Sequence, residues 1–255
     1  MVFLFEKFGN LSNNLFQHLH FNAFCKEHQI EFLNLTNPQL LSENTNVKLI
    51  DKLVFKLRKF LTKTKVISLI VFDEHTQISA AEELMKSKST LFCAGWNYRC
   101  FNLTQKYRSY FASLYLDKIN PKLNDLLSSD LINIAIHIRR GDYKEWENGK
   151  YYYEDETYLK AIEKMSQLIN APFRVLLFTN DDHLNNNLYL NSHSNTYFSK
   201  QDVKSDHYLM SRCDYIIGPP SSFSGWASYI GNTKLFHLKD KSCDFTLDDF
   251  EVCNG

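Results

Sequence analysis

Apolar positions recur along the chain in two rhythms, one with helical spacing and one in short unbroken runs. Val2–Phe5 is such a run and ends in the polar segment Gly9-Asn-Leu-Ser-Asn-Asn14. Leu15, Phe16, Leu19 and Phe24 then recur with polar residues between them, so the opening predicts a strand, a turn and a helix. Glu31–Leu35 predicts the next strand. Residues 48–65 place Leu49, Ile50, Leu53, Val54, Leu57, Phe60 and Leu61 at helical spacing and predict an amphipathic helix. Strands are expected over 66–72 and 90–94, and helices over 79–87 and 105–116. The stretch 117–130, with Asn120-Pro121 and Ser128-Ser129-Asp130, reads as a hinge. Beyond it the alternation restarts: strands over 131–138, 174–178, 215–217 and 234–237, helices over 154–169, 203–212 and 223–230. This pattern predicts an α/β protein of two Rossmann-like domains, 1–125 and 126–255, facing across a cleft. The first β-turn-α-β unit has no GxGxxG, so a dinucleotide fingerprint is absent.

Composition narrows the classes. Of 255 residues, 44% are hydrophobic and 23% charged, which excludes a disordered chain. Lys+Arg and Asp+Glu both count 29, so the net charge is zero and a dedicated nucleic-acid binder is not expected. The six cysteines form no CxxC pair, which favours reduced thiols over a zinc site. The N-terminal apolar run is too short for a signal peptide, and nowhere do about 18 apolar residues run together. The expected location is the cytoplasm. Residues 48–65 depart from the neutral average: Lys48, Lys52, Lys56, Arg58, Lys59, Lys63 and Lys65 face one acid, Asp51, a local charge of +6 (seven basic, one acidic). Such a helix either packs on a core with its lysines in water or lies peripherally on the anionic inner face of a membrane.

Three strand ends carry the chemistry. Ile136-His137-Ile138-Arg139-Arg140-Gly141-Asp142-Tyr143 runs an apolar strand into two arginines, a glycine and an aspartate. On a strand His137 and Arg139 share one face and Arg140 points to the other. An arginine at the carboxyl end of a parallel strand suits a phosphate, or it forms a structural ion pair with an aspartate; the pattern fits both. Arg174-Val-Leu-Leu-Phe178 ends in Thr179-Asn180-Asp181-Asp182, where a carboxylate can accept paired N–H groups of a guanine-type base or cap a turn. Tyr215-Ile-Ile-Gly218 leads into Pro219-Pro-Ser221-Ser-Phe-Ser224, which is an anion site at a helix start or a plain cap.

Together these stretches resemble the α1,2-fucosyltransferases of glycosyltransferase family 11. His137-Ile-Arg-Arg-Gly-Asp-Tyr143 is similar to that family's HxRRxD signature, and Phe178-Thr-Asn-Asp181 to its second motif. Asp206–Ile217, continuing through Ser222-Phe223-Ser224 and Trp226-Ala227-Ser228, is similar to the third. Asn13-Asn14-Leu15-Phe16-Gln17-His18 resembles GNQMFQY. The order agrees over roughly residues 10–230. Ser12 stands in place of the family's Gly, Asn180 in place of its acid, and Gly218-Pro219-Pro220 in place of Ala-Asn. The resemblance implies a GT-B fold, inverting chemistry, GDP-fucose as donor on the C-terminal domain and a glycan acceptor, galactose O2 in particular, on the N-terminal one. It implies that Arg139, with Arg140, holds the diphosphate and that His137 and Asp181 meet the guanine. Ser221, Ser222, Phe223 and Ser224 would line the diphosphate, with Asn13 and Asn14 closing over the donor.

Negative charge on the departing GDP is the main electrostatic demand of such a transfer. No Asp-x-Asp motif occurs, so no metal and no other cofactor is expected, and Arg139 becomes the expected charge stabiliser. Asp142, Glu145 and Glu147 follow it in one loop; Asp142 and Glu147 are the catalytic carboxylates to test. Tyr143 and Trp146 are expected at the acceptor, with Trp96 and Tyr151–Tyr153 as further aromatic candidates. A transferase using another nucleotide sugar and a non-catalytic nucleotide- or glycan-binding module are the competing readings.

Overall fold

The computed structural model describes residues 1–37, 40–41, 69–87 and 90–255. The basic stretch 48–65 lies outside the described residues. The chain divides into two compact units, Met1–Tyr115 with Asn254–Gly255, and Leu116–Cys253.

The first unit is built on a parallel sheet of β1 (Val2–Leu4), β2 (Phe32–Asn34), β3 (Leu69–Phe72) and β4 (Leu91–Gly95), in the order β2-β1-β4-β3. Helix α1 (Leu11–Glu27) and helix α2 (Ile78–Ser87) cover one face, packing Phe21, Phe24, Ala81 and Met85 on Val2, Leu4, Leu91 and Cys93. Helices α3 (Phe101–Lys106) and α4 (Arg108–Leu116) replace the single helix expected over 105–116. The helix starts earlier and breaks at Tyr107, whose hydroxyl donates to Glu27 Oε2 at 2.7 Å beside the Lys106–Glu27 ion pair.

The second unit opens with a 3-10 turn (Pro121–Leu126) inside the expected hinge. Its five parallel strands are β5 (Ile132–Ile138), β6 (Phe173–Thr179), β7 (Thr196–Phe198), β8 (Tyr215–Gly218) and β9 (Lys234–His237), ordered β7-β6-β5-β8-β9. The central β5 reads IleAsnIleAlaIleHisIle and is almost wholly buried, as a parallel strand covered on both faces must be. Ile134, Ile136 and Ile138 pack on α5 (Asp155–Leu168); Ala135 packs on the layer of α7 (Val203–Ser211) and α8 (Ser222–Gly231). Helix α6 (Asn186–Ser192) and strand β7 are not foreseen in the sequence reading. The six cysteines are all unpaired, and no described helix is long and apolar enough to cross a membrane.

Candidate functional site

The strand order places a topological switch point in the second unit. The chain leaves β5 for β6 and β7 on one side, then returns to β8 and β9 on the other. Open parallel sheets bind ligands outside the carboxyl ends of the strands at such a point. The two loops there follow β5 (residues 139–149) and β8 (residues 219–221).

Adjacent arginines on the β5 loop have opposite fates, as strand alternation requires. Arg140 is buried on the α5 side. Its Nη2 donates to Asp155, its Nη1 to Asp181 Oδ2 at 2.8 Å, and its Nε to the Tyr153 carbonyl at 3.2 Å. Tyr189 supports Asp155 with a 2.7 Å hydrogen bond. Burial works against the Arg140 charge, but the two carboxylates outweigh it and raise its pKa. Arg140, expected at the donor, is therefore engaged inside the unit.

Arg139 lies on the other face and is partly exposed. Its Nη2 donates to Asp142 Oδ2 at 3.0 Å, its guanidinium sits 5.6 Å from the Tyr143 ring, and its buried Nε has no partner. Asp142 is more than half exposed. Gly141 takes φ +53°, a turn that L side chains rarely adopt, and lets the loop reverse against Asn180.

Three tethers hold this loop. Asn180 Oδ1 accepts the Arg140 backbone N–H at 2.8 Å. Asp181 carries the Arg140 pair on Oδ2 and accepts the His183 N–H on Oδ1 at 2.9 Å. Burial pushes the Asp181 pKa up, but these contacts outweigh it and hold the carboxyl below its ordinary value. Tyr143, itself buried, donates its hydroxyl to the Pro220 carbonyl and pairs with Ser221, tying the β5 loop to the β8 loop. Asn180, Asp155 and Tyr153 were not foreseen as parts of this arrangement. Asn180 alone carried a signal, as a departure from the family's acid.

Helix α8 starts beside this tether. Ser221 caps it, accepting the Phe223 N–H at 3.2 Å, and the buried Ser224 hydroxyl donates back to the Ser221 carbonyl. The Ser222 hydroxyl has no partner among the described residues. Phe223 lies between two histidine rings, 5.0 Å from His137 and 4.3 Å from His207. Burial lowers the His137 pKa to about 3, with Arg139 adding to the effect, so the ring is neutral. It sits beneath Phe223, not at the open edge where a base contact was expected. Trp146 is 42% exposed and contacts the Tyr143 and Tyr151 rings. Glu147 follows on left-handed backbone, φ 50°, with an exposed carboxylate. Of the expected residues in the second unit, Arg139 keeps its Nε unpaired, and Ser222, Trp146 and Glu147 keep their polar groups without a hydrogen bond among the described residues.

The family model Glycosyl transferase family 11 matches residues 8–244. The chain belongs to glycosyl transferase family 11. No curated protein matches it by sequence. Among solved structures it is similar to a mutant of Arabidopsis thaliana FUT1 in complex with GDP, at 12% identity and TM-score 0.58, over 98% of this chain and 73% of that one. It is also similar to NodZ α-1,6-fucosyltransferase, known from Bradyrhizobium, soaked with GDP-fucose, at 13% identity and TM-score 0.57, over 93% and 94%. A third is POFUT1 in complex with GDP-fucose, at 12% identity and TM-score 0.51, over 91% and 93%. The fold of this family-11 glycosyltransferase is the GT-B fold.

The first unit of the glycosyltransferase carries the remaining pair. Asn14 spends its amide within its own loop: Oδ1 accepts the Phe8 N–H at 3.1 Å, and Nδ2 donates to the Gly9 and Asn10 carbonyls at 3.1 and 2.7 Å. The Asn13 amide has no partner among the described residues. No described group of three or more His, Cys, Asp or Glu is arranged to hold a metal ion.

Proposed function

We propose that this family-11 glycosyltransferase transfers fucose, with inversion and without a metal ion, from GDP-fucose to O2 of a galactose residue in a glycan. The observation that carries the reading is Arg139: a partly exposed guanidinium held by Asp142, with an orphaned Nε, at the sheet's switch point in the loop that Tyr143 ties to the start of α8. GDP or GDP-fucose is bound by the similar proteins named above.

In the reaction the acceptor oxygen attacks fucose C1 from the face opposite GDP. The bond from C1 to the β-phosphate oxygen breaks, and its electron pair leaves with GDP. Arg139 and the first N–H groups of α8, with the Ser222 hydroxyl, meet that charge. Asp142 orients Arg139, and Glu147 takes the acceptor proton. Asp181, through Arg140, fixes the loop that presents Arg139. Residues 48–65 would hold the enzyme to anionic lipid at the cytoplasmic face of a membrane; charge reversal at Lys52, Lys56 and Lys59 should abolish its sedimentation with anionic vesicles.

The test is GDP and UDP release from GDP-fucose, GDP-mannose, UDP-glucose and UDP-galactose in EDTA. Expected is GDP release from GDP-fucose alone, stimulated by a galactose-terminated acceptor. Arg139→Ala should lower kcat about a hundredfold or more. Near-normal turnover in that variant overturns the phosphate assignment, and release only from another donor removes fucose.

A further inference from the structure

The first unit has its own switch point. From β1 the chain leaves for β2 on one side, while β4 lies on the other, so the carboxyl ends of β1 and β4 adjoin. Each of these ends is followed by an aromatic residue. Phe8 follows β1 and Trp96 follows β4, and their rings stack at 5.0 Å with a 16° interplanar angle.

This stack is built, not incidental. Arg99 lies 4.1 Å from the Trp96 ring and donates to the Trp96 and Tyr98 carbonyls, which fixes the indole. Asn14 holds the Phe8 N–H. Gln17 ties α1 to the Gly95 carbonyl at 2.7 Å, while its own buried Oε1 has no partner. On this support Phe8 keeps 44% of its surface in water, which leaves one ring face open to a ligand. The Asn13 amide and the Trp96 indole N–H, both unpartnered among the described residues, supply free donors on the same two loops.

A flat aromatic face flanked by amide and indole donors matches the chemistry of a pyranose, which has an apolar C–H face and a rim of hydroxyls. Galactose fits best, because its axial O4 gathers the C3, C4, C5 and C6 hydrogens on one face. We propose that Phe8, backed by Trp96, is the acceptor subsite of the first unit and stacks a galactose-configured pyranose, with Asn13 bonding its hydroxyls instead of making the donor contact that the resemblance implies. The proposal deepens the fucosyltransferase reading and rests on it for the acceptor's role in turnover. It assigns to Phe8 a part that Tyr143, tied to Pro220, does not have free to play.

The experiment compares wild type, Phe8→Ala and Phe8→Tyr. Phe8 is exposed, so neither change should prevent folding. At saturating GDP-fucose, Phe8→Ala should raise the KM for a galactose-terminated acceptor about tenfold, while Phe8→Tyr restores it. The effect should fall on the acceptor KM and not on that of GDP-fucose. An acceptor KM within about twofold of wild type in Phe8→Ala overturns the subsite. Binding of methyl β-galactoside, read by saturation-transfer NMR, separates the two proposals. If the wild type turns over no donor, the fucosyltransferase reading fails, yet galactoside binding that disappears in Phe8→Ala upholds the subsite. Galactoside binding unchanged by Phe8→Ala refutes it in either case.

Discussion

Arg139 and Arg140 are neighbours in sequence with different work, and mutation should separate them. Removing Arg140 leaves Asp155 and Asp181 partly buried without their cation, which costs about 3 kcal/mol. Arg140→Ala should therefore lower the urea midpoint markedly, and Arg140→Lys should restore little, because one ammonium cannot bond two carboxylates and a carbonyl together. Arg139→Ala should lose turnover while the midpoint stays nearly constant. If both variants unfold alike, the division of roles is wrong. Strand alternation made it legible that the two point apart. It could not say which would be spent internally, since Asp155 and Asp181 lie 15 and 41 residues further on. Pairings at that separation leave no periodic mark.

At the scale of elements, the sheet brings β5 and β8 together most tightly near the candidate site. A Cβ on Gly218 would sit 2.7 Å from the His137 carbonyl oxygen and 2.9 Å from its Cβ. Gly218→Ala must push the two strand ends apart, so it should weaken both stability and GDP binding, as calorimetry on one sample would record. Unchanged GDP affinity would mean that the strand ends do not set the site. The apolar strands β5, β6 and β8 were readable because burial on both faces demands continuous hydrophobic runs. Helix α6 and strand β7 were not: His183-Leu-Asn-Asn-Asn-Leu and Asn191-Ser-His-Ser-Asn-Thr are asparagine- and serine-rich, and packing of Tyr189 and Phe198 on the core overrides that local preference. The break at Tyr107 was likewise hidden, because Glu27, which the Tyr107 hydroxyl bonds, belongs to α1.

Across the molecule, both units bury histidines. Burial lowers His18 and His20 to about 3 in the first unit, with Arg99 also lowering His20. In the second it lowers His137 and His207 to about 3 and His237 to about 4. These rings stay neutral in the fold, whereas in the unfolded chain they take up protons near pH 6.5. The unfolded state then binds more protons, so stability is full above pH 6.5 and falls as pH drops towards 3–4, by up to about 1.4 kcal/mol per unit for each ring. Asp206, raised to about 7 chiefly by burial, opposes this trend between about pH 4 and 7, but it is one group against five. Urea midpoints should fall from pH 7.5 to 5.5; a rise would refute the neutral-histidine account.

The restart of alternation after residue 130 put the expected boundary at 125/126, whereas the compact units meet at Tyr115 and Leu116. What the sequence pattern concealed is that the first unit is discontinuous. Asn254 accepts hydrogen bonds from Thr104 Oγ1 at 2.7 Å and Gln105 Nε2 at 2.6 Å, and Gly255 lies against Thr104 and Leu19. A ribosome makes all of the second unit before Asn254 exists. Residues 1–115 therefore lack the contacts of Asn254 and Gly255 while the other unit is synthesised, and the last stitch on α3 is sewn only afterwards. The order of birth and the order of completion of the two units are thus reversed.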